Sequence, residues 1–373
     1  MFKTALRFLL YDKAKSIGAM SGVILSVFLI GQQAGIFIFL TNAMSSLSRN
    51  NQQYIWVVDD KATNVNSLSA LDMRKARELA SIPGVQSVNP LVLAGGTARF
   101  ANGKTAGILL LGSQYPNWAG GPWNIESGSP NDLLKEGAVF TDYFDRDALG
   151  NAAIGDYFEI NGKQVFVAGN TRGVTAFGGT YVFTTLERAR FLGNIPNDKA
   201  SAFLLQWKPG VPREQVIYHI NTRLKGLRAW KGEDLSASTV GEVLKSSGIG
   251  FSVGTLIVFA LITGFVIIGL TLYSAAIDRI RDYGALKAIG ATNGYIRRLI
   301  LTQALLVSVL GFAIGFALVI GFRNGIAQAG TIFDYPLWME IGFFVITLFI
   351  AFTGSSFAIR RIAGLEPSAI FRI

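Results

Sequence analysis

Residues 246–277 read SSGIGFSVGTLIVFALITGFVIIGLTLYSAAI, 32 positions with no Asp, Glu, Lys, Arg or His. A helix rises about 1.5 Å per residue, so about 20 apolar residues cross a bilayer core. This stretch is long enough to do so and has no charge to resist it. Three more stretches share the property: 16–48, 299–322 and 341–359. Each predicts a transmembrane helix. The whole chain agrees, since 50% of its 373 residues are hydrophobic, only 16% are charged and mean hydropathy is +0.40. A soluble domain carries nearer 25% charged residues. Four such spans exclude a soluble enzyme. The chain has no cysteine, which excludes disulfide scaffolds, cysteine-ligated zinc and thiol catalysis. Its one histidine, His219, excludes a multi-histidine metal site.

The net charge of +10 is not a nucleic-acid signal, because of where it lies. Residues 49–245 hold 21 basic and 18 acidic side chains, a net of +3. The remainder sits on short segments beside the spans: Lys3, Arg7, Lys13 and Lys15; Arg279, Arg281, Lys287, Arg297 and Arg298; Arg360, Arg361 and Arg372; and one outlier, Arg323. Basic short loops mark the cytoplasmic side. The chain therefore divides into a cytoplasmic amphipathic helix over 1–15, a first span over 16–48 and an outside domain over 49–245. A second span over 246–277, a cytoplasmic loop over 278–298 and a third span over 299–322 follow. A short outside loop over 323–340, a fourth span over 341–359 and a cytoplasmic tail over 360–373 complete it. In the first segment Phe2, Ala5, Leu6 and Leu9 recur at helical spacing, with Lys3 and Arg7 elsewhere on the helix, which suits the inner membrane surface. The apolar run 17–40 is too long for a signal-peptide h-region, so it is expected to be retained.

Gly31 and Gly35, Gly250 and Gly254, Gly18 and Gly22, and Gly311 and Gly315 are each four apart, a spacing that lets helix backbones approach closely in lipid. The first two pairs are the candidates for close helix packing, within the chain or between copies. No ionisable group lies inside a span, whereas ion-coupled carriers usually need one there. Four spans are also few for a carrier built from inverted repeats.

The outside domain has mixed charge and five of the six tryptophans. Its pattern predicts a mixed α/β fold of two subdomains, the second inserted in the first. Strands are expected over 54–58, 85–93 and 96–100, with a return over 106–111 after the turn Asn102-Gly103. A helix is expected over 69–81, stopped by Pro83-Gly84. A second block runs from 139 through 153–160, 165–169 and 180–183, and the domain closes with a strand over 201–206 and a helix over 213–227. No catalytic constellation emerges. Gly103-Lys104-Thr105 resembles the end of a P-loop, but position 98 is Ala and the lysine follows a hairpin turn. Asp59-Asp60 and the run Asp142, Asp145, Asp147 read as solvated loop charge. No ATP-binding motif is present.

The cytoplasmic loop reads DRIRDYGALKAIGAT over 278–292. It resembles the signature of the MacB/FtsX-like permeases of ABC transporters, roughly Arg-Glu-x-Gly-x-Leu-Lys-Ala-x-Gly-Ala. The outside stretches IPGV (82–85), VNP (88–90), IGD (154–156), ING (160–162) and FVAG (166–169) resemble that family's periplasmic core domain, and PSAIFR (367–372) its C-terminal ending. Asp282 stands where the family has Glu, and Tyr283 where it has a small or aliphatic residue. The resemblance covers essentially the whole chain, including the arrangement of one span before the outside domain and three after it.

The resemblance implies a non-catalytic permease in a bacterial inner membrane, with its large domain in the periplasm. Two copies would pair with two copies of an ATPase subunit that binds ATP and Mg. ATP-driven closure would be transmitted through the helices to the periplasmic domains, moving a substrate onward, often to an adaptor and outer-membrane channel. An FtsX-like regulator of a cell-wall hydrolase and a lipoprotein-extracting permease remain alternatives. The implied ATPase contact is Arg281, Asp282, Tyr283, Gly284, Leu286, Lys287, Ile289 and Gly290. The residues themselves support it: Ile280, Tyr283, Leu286 and Ile289 recur three apart and give a short helix one apolar face, expected to seat in the ATPase. Gly290 suits a helix C′ position and Thr292 an N-cap.

The basic-residue alternation predicts that cysteines placed at Ser67, Asn194 and Gln328 react with an impermeant thiol reagent in intact cells. Cysteines at Ala14, Thr292 and Ala363 should not. Labelling at Thr292 would overturn the topology.

Overall fold

The computed structural model describes residues 2–11 and 13–363. The tail motif over 367–372 therefore lies outside the described residues. In chain order the elements are α1 (Phe2–Tyr11), α2 (Lys13–Met44), α3 (Ser46–Arg49), β1 (Ile55–Asp59), β2 (Leu71–Asp72), α4 (Lys75–Ala80), β3 (Val85–Arg99), β4 (Thr105–Ser113), β5 (Ile125–Ser127), β6 (Ala138–Asp142), β7 (Tyr157–Ile160) and β8 (Lys163–Thr171). After them come β9 (Thr180–Thr185), α5 (Leu186–Gly193), β10 (Lys199–Ala200), β11 (Ala202–Trp207), α6 (Arg213–Arg223), β12 (Leu227–Lys231), α7 (Gly232–Ser246), α8 (Ile249–Ile277), α9 (Ile280–Ala288), α10 (Asn293–Ala327) and α11 (Leu337–Ala363). The chain forms two compact units. Residues 1–38, 251–328 and 332–373 make the helical one, and residues 39–250 with 329–331 the α/β one.

Four helices are long and apolar enough to cross a membrane: Ser16–Met44, Ile249–Ile277, Asn293–Ala327 and Leu337–Arg360. One precedes the α/β domain and three follow it, as the charge-free stretches indicate. The third begins well ahead of position 299, because Thr292 caps it and Arg297 and Arg298 ride on its first turns. Inside the helical unit Ala19, Val23, Val27, Ile268, Leu272, Ala304, Val307, Ile350 and Ala351 form a core drawn from all four helices. Its outer faces are apolar too; Phe251, Phe259, Val266 and Leu270 of α8 are each at least half exposed. Such a surface suits hydrocarbon and not water.

The glycines sort by neighbour. A methyl on Gly31 would lie 2.6 Å from Val319 Cγ2, and one on Gly35 2.5 Å from Phe333 Cζ. Tyr335 donates its hydroxyl to the Gly31 carbonyl at 2.7 Å. This pair is therefore consumed by packing within the chain and is not available to a second copy. A methyl on Gly250 would lie 2.4 Å from the Leu244 carbonyl oxygen of α7, and one on Gly254 would meet nothing within 4 Å. Of the second pair, Gly250 thus packs on α7, and Gly254 meets no other helix among the described residues. A methyl on Gly311 would lie 2.8 Å from Val23 Cβ, and one on Gly315 2.9 Å from Val27 Cβ, both of α2.

The α/β unit is built on one sheet in the order β12-β1-β11-β3-β4-β9-β6-β8-β5, with β7 against β3 and β8. The first half of β3 pairs with β11 and the second half, from Val92 to Arg99, with β4. Two predicted strands are thus one, continuous through Gly95 and Gly96. The expected insertion is visible, since β4 to α5 leave one end of β3 and return to β10 and β11. The lobes are not independent, however. Trp56, Leu91, Phe140, Tyr181, Phe183 and Leu204 form one core across both on one sheet face. The opposite face carries one core per lobe, around Phe203 and Val216 and around Phe158 and Val182. Strand β1 feeds two of these cores by alternation, Trp56 and Val58 to one side, Ile55 and Val57 to the other.

Several local expectations change. The helix predicted over 69–81 is only α4, because Leu71 pairs with Ala200 in a small separate sheet. The helix predicted over 213–227 ends at Arg223, and Leu227 opens β12. Lys104 lies in the β3–β4 hairpin and donates to the Asp147 carbonyl at 3.2 Å, so no phosphate loop exists there. No cluster of metal-ligating side chains occurs among the described residues. Asp142 is instead a buried hub. It accepts from Phe144 N at 3.0 Å, Thr171 Oγ1 at 2.9 Å and Val174 N at 2.8 Å.

Burial pushes the Asp142 carboxyl up despite those bonds. The neighbouring Asp145 is pushed up to about 6, by burial first and then by the charge of Asp142, against a hydrogen bond from Thr180. A carboxyl that holds its proton more tightly when folded adds stability as pH falls through about 6 towards its unfolded value of 3.8. Thermal unfolding of the solubilised chain should therefore show a rise in midpoint between pH 7.5 and 5.5. Asp145→Asn should flatten that rise and raise the midpoint at pH 7.5. An unchanged slope would refute the assignment.

Candidate functional site

Helix α9 carries the residues singled out in the sequence. It follows α8 after Asp278 and Arg279, with the Tyr283 amide bonded to the Arg279 carbonyl at 3.1 Å. Its far end is closed by a Schellman motif: Ala291 N donates to the Leu286 carbonyl at 2.9 Å and Gly290 N to the Lys287 carbonyl at 3.0 Å. Gly290 has φ +99°, which a side chain would strain. Thr292 then caps α10, its hydroxyl accepting from Tyr295 N at 3.3 Å. One residue, Ala291, separates the two caps. Both capping roles match the sequence reading.

The apolar face of α9 does not face outward. Tyr283 is fully buried among Ala5 of α1, Ala276 of α8, Ile296, Leu299 and Ile300 of α10, and Ala358 of α11. Its hydroxyl donates to Gln303 Oε1 at 2.7 Å. Burial first, with Asp282 nearby, pushes the phenol up to about 12 against the pull of Arg279 and Gln303, so it stays a donor at any physiological pH. Gly284 is buried as well, and Ile280 and Leu286 pack against the same cluster. The expectation that Tyr283, Gly284 and Leu286 seat in a partner is thereby corrected. An amphipathic helix beside a membrane bundle has its own bundle as the nearest apolar surface. What α9 presents outward is Arg281, Asp282, Ala285, Ile289 and Gly290, with Lys287 half-buried and Ile289 82% exposed.

Two supporting residues were missed. Arg279 is buried and donates from Nη2 to Ser16 Oγ at 3.1 Å, and Ser16 donates to the Leu9 carbonyl at 2.8 Å. Gln303 was the legible one: a strongly polar side chain inside a charge-free span needs a partner. Its Nε2 has no protein acceptor among the described residues. A cavity of about 30 Å³ lined by Ser16, Arg279, Gln303 and Ser355 lies there, large enough for a water molecule.

Comparison with known proteins supplies the family context. Residues 16–222 match the MacB-like periplasmic core domain, and residues 254–367 match the FtsX-like permease C-terminal region. The macrolide export ATP-binding/permease protein MacB of Vibrio parahaemolyticus is 24% identical over 327 residues, covering 83% of this chain and 49% of that protein. MacB 1/2 of Paracoccus denitrificans is 26% identical over 281 residues, 71% of this chain and 41% of that protein. The chain thus spans about half the length of the curated relatives it matches. The periplasmic region of MacB from Actinobacillus actinomycetemcomitans superposes with a TM-score of 0.38 at 11% identity, over 52% of this chain and 94% of that one. The extracellular domain of the noncanonic ABC-type transporter YknZ from Gram-positive bacteria gives 0.36 at 13% identity, over 48% and 99%.

The Tyr283 anchor makes a specific expectation. Tyr283→Phe keeps the ring but leaves Gln303 Oε1 buried without its donor, which costs about 1–3 kcal/mol. Its unfolding midpoint should fall by a few degrees. Replacing both partners, Tyr283→Phe with Gln303→Leu, should recover most of the loss, because no orphaned group remains. A double variant as unstable as the sum of the singles would show that the bond contributes nothing.

Proposed function

Since the chain belongs to the MacB/FtsX-like family of ABC transporter permeases, we propose that it is the membrane subunit of a MacB-type exporter in a bacterial inner membrane. In this reading two copies work with two copies of an ATPase subunit, which binds ATP and Mg and performs the hydrolysis. The α/β domain lies in the periplasm and handles a periplasmic or membrane-derived substrate, passed on to an adaptor and outer-membrane channel. The export direction is carried over from relatives named as macrolide exporters, and the substrate is not specified by it. The chain itself transmits motion and carries no catalytic group.

The observation that supports this most is the way α9 is held. Tyr283 ties it to four other helices, and paired caps join it to α10 through a single residue. A push on its outer face cannot be absorbed by a flexible loop and must displace α10. That outer face offers a compact docking strip, with Arg281, Asp282, Ala285 and Ile289 side by side on about two turns. An exposed isoleucine between opposite charges is the composition of an interface anchor with a charged rim.

Ile289→Asp and Ala285→Glu should each weaken association with the ATPase about tenfold or more, since truncating or charging an anchor typically costs 2 kcal/mol or more. Arg281→Glu should weaken it in a salt-dependent way. All three should leave membrane insertion and the unfolding midpoint unchanged, unlike Tyr283→Phe. The measurement is pull-down and ATP hydrolysis by the reconstituted pair. Normal coupling in all three variants would refute α9 as the contact.

A further inference from the structure

Arg190 in α5 is 5% exposed, and its Nη2 has no hydrogen-bond partner among the described residues. Only Nε is accounted for, donating to the Lys199 carbonyl at 2.9 Å. Arg190 lines an open groove of about 750 Å³ together with Lys163, Glu187, Phe191, Asn194 and Pro196. Local sequence builds this groove. Asn194 takes the left-handed conformation, φ +54°, and ends α5. The β7–β8 turn is strapped to that helix end by Asn161 Nδ2, which donates to the Leu192 carbonyl at 2.9 Å. Lys163, the first residue of β8, then reaches the helix terminus, donating to the Phe191 carbonyl and to Asn194 Oδ1 at 2.7 Å. Its ammonium sits 4.1 Å from the centre of the Phe191 ring, which is itself 62% exposed.

The position of Lys163 is explained by the helix C-terminus, where a cation is favourable. That of Arg190 is not. Neither cation is in an ion pair among the described residues. Glu187 and Asp198 act on Arg190 only from beyond ion-pair distance, and Asp198 lies 3.9 Å from Lys199 instead. A guanidinium donor without a partner and an aromatic ring left 62% exposed are two deficits that one ligand can meet. Counting Glu187, the groove carries a single net positive charge. It matches a monoanion better than a phosphate dianion, which Glu187 would repel.

We propose that this groove binds a carboxylate carried next to an apolar group. The carboxylate takes charge-assisted hydrogen bonds from Arg190 and Lys163, and the apolar part lies on Phe191. The carboxylate can belong to a small molecule or to an acidic side chain of a protein segment.

The test is saturation-transfer NMR on the full chain in nanodiscs, with 3-phenylpropionate and N-acetyl-Ala-Phe-Glu-Ala-amide as probes and 3-phenylpropanamide as the uncharged control. Both carboxylates, or one of them, should receive transfer, and the amide should not. Transfer to the free acid alone assigns the site to small molecules, and to the peptide alone, to a protein. Lys163→Gln and Arg190→Gln should each raise the dissociation constant about tenfold, near the value of one charge-assisted contact. If Arg190→Gln fails to fold, Lys163→Gln, at the groove rim, decides alone. Equal binding of the amide, no transfer to either carboxylate, or wild-type affinity in the folded variants would overturn the proposal.

Discussion

Between helices in lipid there is no hydrophobic effect to hold them, so contact must come from close packing. The helical unit meets this constraint by exchanging side chains for glycines in both directions. Val23 and Val27 of α2 enter the gaps at Gly311 and Gly315 of α10, and Val319 of α10 enters the gap at Gly31 of α2. At Gly354 and Gly269 two backbones meet directly, the would-be methyl of one lying 2.6 Å from the Cα of the other. Such a bundle has little room for gradual deformation. Interlocked helices of this kind favour displacement as packed bodies over gradual bending.

Much of this architecture was legible because lipid imposes a simple rule on sequence. Uncharged runs, basic short loops and the Gly290–Thr292 punctuation needed no tertiary information. The orientation of α9 did. Periodicity shows that Tyr283 and Leu286 share an apolar face, but a face has no label saying whether its cover is the chain itself or another protein. The same limit applies to Gly31 and Gly35, whose spacing is equally compatible with an internal or an external neighbour. Gln303 is different in kind. A lone amide in an apolar span is a visible demand for a partner, and Tyr283, across the bundle base, supplies it. The sequence thus singled out helix α9, but not which of its residues pack inward, Tyr283 and Gly284, and which face outward, Arg281, Asp282 and Ile289.

In the α/β unit the legible part was the alternation of the strands, and the illegible part was their continuity. Gly95-Gly96 reads as a break, yet β3 runs through it, since strand pairing on both sides holds the backbone extended. Long strand β3 is what makes two lobes into one domain. It lends its first half to one lobe and its second half to the other, and a common core covers the join on one face. Helix α7 was hidden for the opposite reason: its stripe of Leu235, Thr239 and Val243 is too weakly apolar to announce itself beside the span that follows.

The α/β domain also has a particular relation to its own ends. The chain comes in through α3 and goes out through α7, and these two are fastened together. Ser48 Oγ lies 2.8 Å from Ser236 Oγ, and Leu47 and Leu235 share the central core. A domain whose two ends are joined side by side occupies no more of its host than a short loop would. Its size and contents can therefore change without altering where the flanking helices must begin.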